Sequence, residues 1–193
     1  MTKATKNSII TLPNTHLRQR SKKVGIINED IKKIIDDMEH AVIDWDKSRA
    51  HEVTVALAAV QIDTLLRLII VRDDFDHGTP ARYTALINPE IVKYEGEIEY
   101  DYEGCLSIRS VYGYVPRNSK IRLKARDING KEVRFSATGF LSRVIQHEVD
   151  HTNGKLFVDH IKHDKDAFYK LTSKGELVSL DYEKDIKNSR ILW

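Results

Sequence analysis

The chain has 193 residues, 31 Lys and Arg against 29 Asp and Glu, and a formal charge of +2. That length suits one domain spanning 1–193 with a substantial core, and so even a charge balance gives no reason to expect nucleic acid as substrate. No apolar run approaches the length of a membrane span, the basic N-terminal stretch lacks an apolar signal core, and the only cysteine is Cys105, so a soluble, non-secreted, cytoplasmic protein in a reducing compartment is expected.

In chain order, Asn28 is a plausible cap with Glu29 and Asp30 in the first turn, and Ile31, Ile34, Ile35, Met38 and Val42 then recur at helical spacing. This predicts an amphipathic helix whose isoleucines are core. The nearly continuous apolar run from Leu65 to Val71 predicts a strand, and Ala85 to Val92 a second, irregular one broken by Asn88-Pro89. Ile121, Leu123 and Ala125 alternate with Arg122, Lys124 and Arg126, then Asn129-Gly130 turns the chain into Val133 and Phe135 alternating with Glu132 and Arg134. That is a hairpin, and its basic residues are read as its wet face. After Gly139 the period changes to 3.6, with Phe140, Val144, His147 and His151 on one face, Leu141, Ile145 and Glu148 on the next, and Asn153-Gly154 as the stop. The segment 164–193 mixes charge with apolar residues, has a turn signal at Lys174-Gly175, and is assigned no chemistry.

The most informative stretch is His147-Glu148-Val149-Asp150-His151. Residues i and i+4 share a helix face, so both imidazoles can point at one divalent ion, while Glu148, about 100° round the axis, can reach a water beside it. Hydrolytic sites of this kind usually hold three protein ligands, and the natural third is Cys105 in Glu103-Gly104-Cys105-Leu106-Ser107. A cysteine standing alone is more often a small buried hydrophobe.

Glu103 to Ser107 and Gln146 to His151 together resemble the peptide deformylases, whose recurring elements include Glu-Gly-Cys-Leu-Ser and Gln-His-Glu-x-Asp-His. Leu17-Arg18, Asn88-Pro89-Glu90-Ile91, Val115-Pro116-Arg117, Asp127 to Gly130 and Gly154 to His160 agree in order and context, so the resemblance runs from about Ile9 to Ile161 and leaves no room for a long transit peptide. It implies an α+β fold, with antiparallel sheets packed around a central metal-binding helix and an N-terminal helix. It implies one divalent ion held by Cys105, His147 and His151, Fe2+ in the working enzyme with Zn2+, Co2+ or Ni2+ as alternatives that thiolate and imidazole also accept. Glu148 would accept a proton from the attacking water, and the Gln61 side chain and the Leu106 amide would meet the oxyanion formed on an N-formylmethionyl peptide. Nascent chains are the implied partners, with association at the ribosome; no nucleic acid substrate and no membrane partner are implied.

Around that centre, Phe140 and Val144 are candidates for a methionine pocket, with Ile87 and Leu106 as weaker ones. Ordinary core packing is the competing reading for Phe140 and Val144. Gln146 and Asp150 are candidates for orienting the imidazoles, and Glu103 for bracing the cysteine loop. His16, His40, His51, His77, His160 and His163 are read as surface or structural. One family element departs. Where members read Gly-x-Gly-Leu-Ala-Ala-x-Gln, this chain has Thr54-Val55-Ala56-Leu57-Ala58-Ala59-Val60-Gln61. The resemblance makes Val55 and Ala56 part of a segment that pairs with the substrate backbone, so Thr54 and Ala56 either take ordinary β dihedrals or narrow the groove by their added carbons. Two rivals follow: a general metallopeptidase would hydrolyse unformylated peptides, and a non-catalytic binding protein would hold metal without turnover.

Overall fold

A computed structural model describes residues 3–48, 53–72, 82–189 and 191–192. The first helix, α1 (Glu29–Lys47), begins where the sequence places it, with Asn28 Oδ1 accepting the Ile31 amide at 3.2 Å. Seven strands follow: β1 (Ala56–Ala58), β2 (Leu68–Arg72), β3 (Tyr83–Cys105), β4 (Ile108–Arg126), β5 (Glu132–Thr138), β6 (Phe168–Leu171) and β7 (Leu177–Ser179). Between β5 and β6 lie α2 (Gly139–Thr152) and the short α3 (Val158–Ile161). The fold is α+β, and the strands form one antiparallel sheet in the order β1-β2-β3-β4-β6-β7, so the expectation of several sheets is corrected to one. The long β4 makes this possible, because its start pairs with β6 and its end with β5.

The apolar run predicted from Leu65 begins its strand at Leu68. Alternate residues there face two cores: Leu68 and Ile70 join Ile31, Ile35, Met38 and Val42 of α1, whereas Ile69 and Val71 join Val144, Ile145 and Val149 of α2. A strand covered on both faces has no polar alternation to show, which is why it reads as a continuous run. The irregular segment from Ala85 is the first third of β3. Asn88 sits there at φ 54°, at a register shift, with its side chain bonded to the Val24 amide and carbonyl at 2.8 Å each. The hairpin of β4 and β5 is as read: Ile121, Leu123 and Ala125 are buried, and Arg122, Lys124 and Arg134 pair with Glu95 and Glu132 on the outside. α2 is capped at Asn153, and Gly154 (φ 72°) passes so close to Arg18 that a Cβ would lie 2.5 Å from its carbonyl oxygen.

Candidate active site

The two ends of β3 and α2 bring the predicted ligands together. Cys105 is the last residue of β3, and α2 carries His147 and His151 one turn apart. The ligand atoms of Cys105, His147 and His151 all lie within 4.8 Å of one another, with Cys105 Sγ 3.3 Å from His151 Nε2. His147 Nδ1 is 3.0 Å from Glu103 Oε2. An ionised carboxylate only accepts, so Nδ1 donates to it; burial opposes the charged ring, but the hydrogen bonds to Cys105 and Glu103 hold the imidazole well above its ordinary value, and loss of the Nε2 proton to an arriving ion would leave that lone pair for the centre. Burial and the nearby His147 push the His151 imidazole well below its ordinary value, which leaves a neutral ring with a lone pair to give. These donors fit a divalent ion: one soft thiolate and two imidazoles, converging from two rigid elements.

Glu148 lies beside them and lines the same cleft. It is 5% exposed, and its Oε2 has no hydrogen-bond partner among the described residues. Burial pushes its carboxyl up to about 7; the charge of His147 pulls it down and that of Glu103 adds to the rise. A carboxyl held there can both take and return a proton near neutral pH.

Glu103 is the hub of the support. Its Oε1 accepts from Arg117 Nε at 2.9 Å and Arg143 Nη1 at 2.8 Å, and its Oε2 from Arg117 Nη2 at 3.0 Å as well as from His147. Burial alone would raise its carboxyl, but its hydrogen bonds to His147 and Arg117 and their charges together hold it far below the usual range. The idea that Asp150 and Gln146 steady the two ligand rings is corrected for direct contact. Asp150 accepts from Arg117 at 2.5 Å and lies 2.7 Å from His160 Nε2, so it acts on His147 only through Arg117 and Glu103. The amide of Gln146 bonds Asn118 and Ser142 instead. Helical spacing aims both residues away from the His147 face, onto β4.

Gln61 is in a 3-10 turn after β1, its Oε1 accepting the Ala58 amide at 2.9 Å and its Nε2 donating to Ser107 Oγ at 3.2 Å and towards Cys105 Sγ at 3.6 Å. The cleft above the cysteine encloses about 670 Å³, within the ~300–1,000 Å³ common for ligand sites. Thr54, Val55, Ala56, Leu106, Phe140 and Val144 are among the residues that line it. Val144 is buried, whereas Phe140 stays half-exposed at the start of α2. Ile87 does not reach the cleft; it is fully buried against α1, because β3 turns that face of the sheet away. Neither Thr54 nor Ala56 has a positive φ, so the family's glycines are replaced without left-handed backbone.

A family model for polypeptide deformylase matches residues 6–167. The chain belongs to the polypeptide deformylase family. A peptide deformylase of Thermomicrobium roseum is 41% identical over 158 residues, covering 80% of this chain and 85% of that one, and peptide deformylase 2 of Gloeobacter violaceus is 37% identical over 169 residues, covering 87% and 86%. Among solved structures, the peptide deformylase of Synechococcus elongatus in complex with actinonin superposes with a TM-score of 0.69 at 36% identity, over 79% of this chain and 76% of that one. A Met-Ala-Ser-bound deformylase from Acinetobacter baumannii gives 0.70 at 28% identity, over 79% and 96%. Membership makes this chain a peptide deformylase, a metal-dependent hydrolase of protein biosynthesis. No helix among the described residues is long and apolar enough to cross a membrane.

Three features of this deformylase site escaped sequence reading. Arg143 is an unremarked polar residue on an apolar helix, and only the buried Glu103 shows why it is there. Trp45, at the end of α1, lines the cleft from a segment with no recognisable signal. Leu171, Thr172 and Leu177 of the segment assigned no chemistry line it as well. Of the remaining histidines, His160 supports Asp150 and His16 pairs with Asp63, while His51 and His77 lie outside the described residues.

Proposed function

We propose that this chain removes the N-formyl group from formylmethionyl ends of newly made polypeptides, releasing formate, with α2 as the central metal-bearing helix. Carrying the reading is one observation: three ligand atoms within 4.8 Å of one another beside a buried carboxylate oxygen that lacks a partner among the described residues. Cys105, His147 and His151 would hold the ion, for which the resemblance favours Fe2+, and when bound it supplies Lewis acidity and makes water a nucleophile near neutral pH.

The other steps belong to the chain's own groups. Glu148 accepts the proton of the attacking water on its free Oε2 and returns it to the leaving amine, so one carboxyl serves as base and then as acid. The Leu106 N–H and the Gln61 Nε2–H donate to the formyl oxygen as charge develops there, each such donor being worth about 10²–10³ in rate. Gln61 is prepared for this by the Ala58 amide, which fixes its Oε1 and leaves the Nε2 end aimed at Cys105. Among the described residues β1 pairs only with β2, so its other edge would let an extended peptide add as a strand along Thr54 to Ala56. Val144 and Phe140 would flank the methionine side chain.

Formate release from formyl-Met-Ala-Ser by protein loaded anaerobically with ferrous iron tests the reading. Turnover of that peptide, none of its acetylated counterpart, and none by Glu148→Ala are expected. Hydrolysis of unformylated peptides would favour the metallopeptidase instead, and stoichiometric metal without turnover the binding protein.

A further inference from the structure

The family match ends at residue 167, and the next residues build the β6–β7 hairpin, whose tip faces the cleft that holds Cys105, His147 and Glu148. We propose that this hairpin is a specificity wall that reads the second and third residues of the peptide substrate and favours apolar side chains there over small polar ones. The proposal rests on the deformylase reading, which places the formylated end at Cys105 and leaves the following residues to run along the same cleft.

Leu171 and Leu177 are direct cross-strand partners, so both side chains lie on one face of the hairpin, and both line the cleft. They remain half-buried and belong to none of the hydrophobic cores, whereas Phe168, three residues earlier on the same strand, is completely buried in the C-terminal core. An apolar pair held at the wall of a catalytic cleft and only half-covered by the described residues is suited to cover an apolar ligand group.

The wall is also rigid. At its base Tyr169 and Phe168 pair with Tyr112 and Gly113 of β4, and the Leu180 amide donates to the Phe168 carbonyl at 2.9 Å. At its tip the Thr172 amide donates to the Glu176 carbonyl at 2.8 Å, and the Gly175 amide to the Thr172 carbonyl at 3.0 Å, with Gly175 at φ 80°. Thr172 Oγ1 accepts from the Lys174 and Glu176 amides as well. A surface ordered before the ligand arrives loses little entropy on binding, so its contacts can appear in affinity.

The test compares kcat/KM for formyl-Met-Leu-Phe-amide, formyl-Met-Gly-Ser-amide and formyl-Met-amide in the wild type, in a Leu171→Ser/Leu177→Ser double variant, and in Val178→Ser, which changes the opposite face of β7. The double variant should lower the ratio of the Leu-Phe to the Gly-Ser substrate about tenfold, through KM rather than kcat, and Val178→Ser should leave it as it is. An unchanged ratio in the double variant, or an equal change in Val178→Ser, overturns the wall while turnover of formyl-Met-amide keeps the deformylase reading. Anisotropy of a fluorescein-labelled, unformylated Met-Leu-Phe-Lys peptide gives the second readout. Should the wild type leave formyl-Met-amide intact, the deformylase reading falls, and weaker binding by the double variant alone still decides for the wall, equal binding against it.

Discussion

The two ends of the cleft are built in opposite ways. At the inner end, Glu103, Arg117, Arg143, Asp150 and His147 form a buried lattice of charged hydrogen bonds, in which Glu103 accepts from Arg117, Arg143 and His147 and Arg117 reaches on to Asp150. At the outer end, Phe140, Leu171 and Leu177 are half-covered apolar side chains at a helix start and at strand ends. The chemistry needs ligand atoms fixed to within fractions of an ångström, which only an over-determined network supplies, whereas side-chain recognition tolerates looser contacts. The inner end should therefore break sharply and the outer end shift by degrees.

The largest break is expected in the reaction itself. Glu148→Ala should lower kcat by at least ~10²–10⁴, the usual span for a positioned acid or base, with metal content by atomic absorption unchanged; equal loss of metal would make Glu148 a structural residue instead. Glu103→Ala comes next. It leaves the guanidinium groups of Arg117 and Arg143 buried without their shared anion, and removing one partner of a buried pair commonly costs about 3–5 kcal/mol. Urea unfolding checks it, and a loss below 1 kcal/mol would show that the network is not what holds the inner end.

A third test uses pH. The Glu148 carboxyl is raised from 4.5 to about 7 by burial, so the folded state binds this proton more tightly than the unfolded one. Its contribution to stability is fully present below about pH 4.5 and is lost as pH rises through about 7. The metal-free Glu148→Gln variant has no such loss. Relative to the wild type it should gain about 3 kcal/mol between pH 4.5 and 8, followed by denaturant midpoints; a parallel pair of curves would place the carboxyl in a far more polar setting.

How much of this was legible in the sequence depended on whether burial left a periodic trace. α1, the β4–β5 hairpin and α2 have one wet and one dry side, so their periods are visible, and the Cys105, His147 and His151 cluster was readable because two short motifs carry it whole. The stretch of β3 from Lys93 to Tyr102 does alternate, Tyr94, Ile98, Tyr100 and Tyr102 with Lys93, Glu95, Glu97, Glu99 and Asp101, but both of its faces are largely exposed, so the pattern marks a strand without saying what covers it. Ile87 was misplaced for a related reason: an apolar residue on a two-sided strand does not say which core it joins. Asp150 and Gln146 are natural acceptors for the imidazole N–H groups by residue type, whereas the structure turns their helix face towards β4. The role of Arg143 depends on Glu103, 40 residues away, and that of Leu171 on a cleft built by distant segments, which no local pattern encodes.

The smallest effect is expected at Thr54, where this chain departs from its family at the outer side of the cleft. The Thr54 amide donates to Asp46 Oδ1 at 2.7 Å and its carbonyl accepts from the Tyr83 hydroxyl at 3.0 Å, both main-chain contacts that glycine would keep. Its Oγ1, by contrast, is buried with no partner among the described residues. Thr54→Gly removes that buried hydroxyl, a gain, and adds backbone entropy to the unfolded chain, a cost of about 0.5–1 kcal/mol. The two oppose, so Tm should move by no more than about 4 °C for a domain of this size. Activity decides what the side chain does. If it narrows the groove, Thr54→Gly should lower KM for bulky formyl peptides severalfold and leave formyl-Met-amide alone, since only a chain running along β1 would meet the extra carbons. An identical KM for both substrates would show that the threonine stands clear of the peptide, and that β1 presents nothing but its backbone edge.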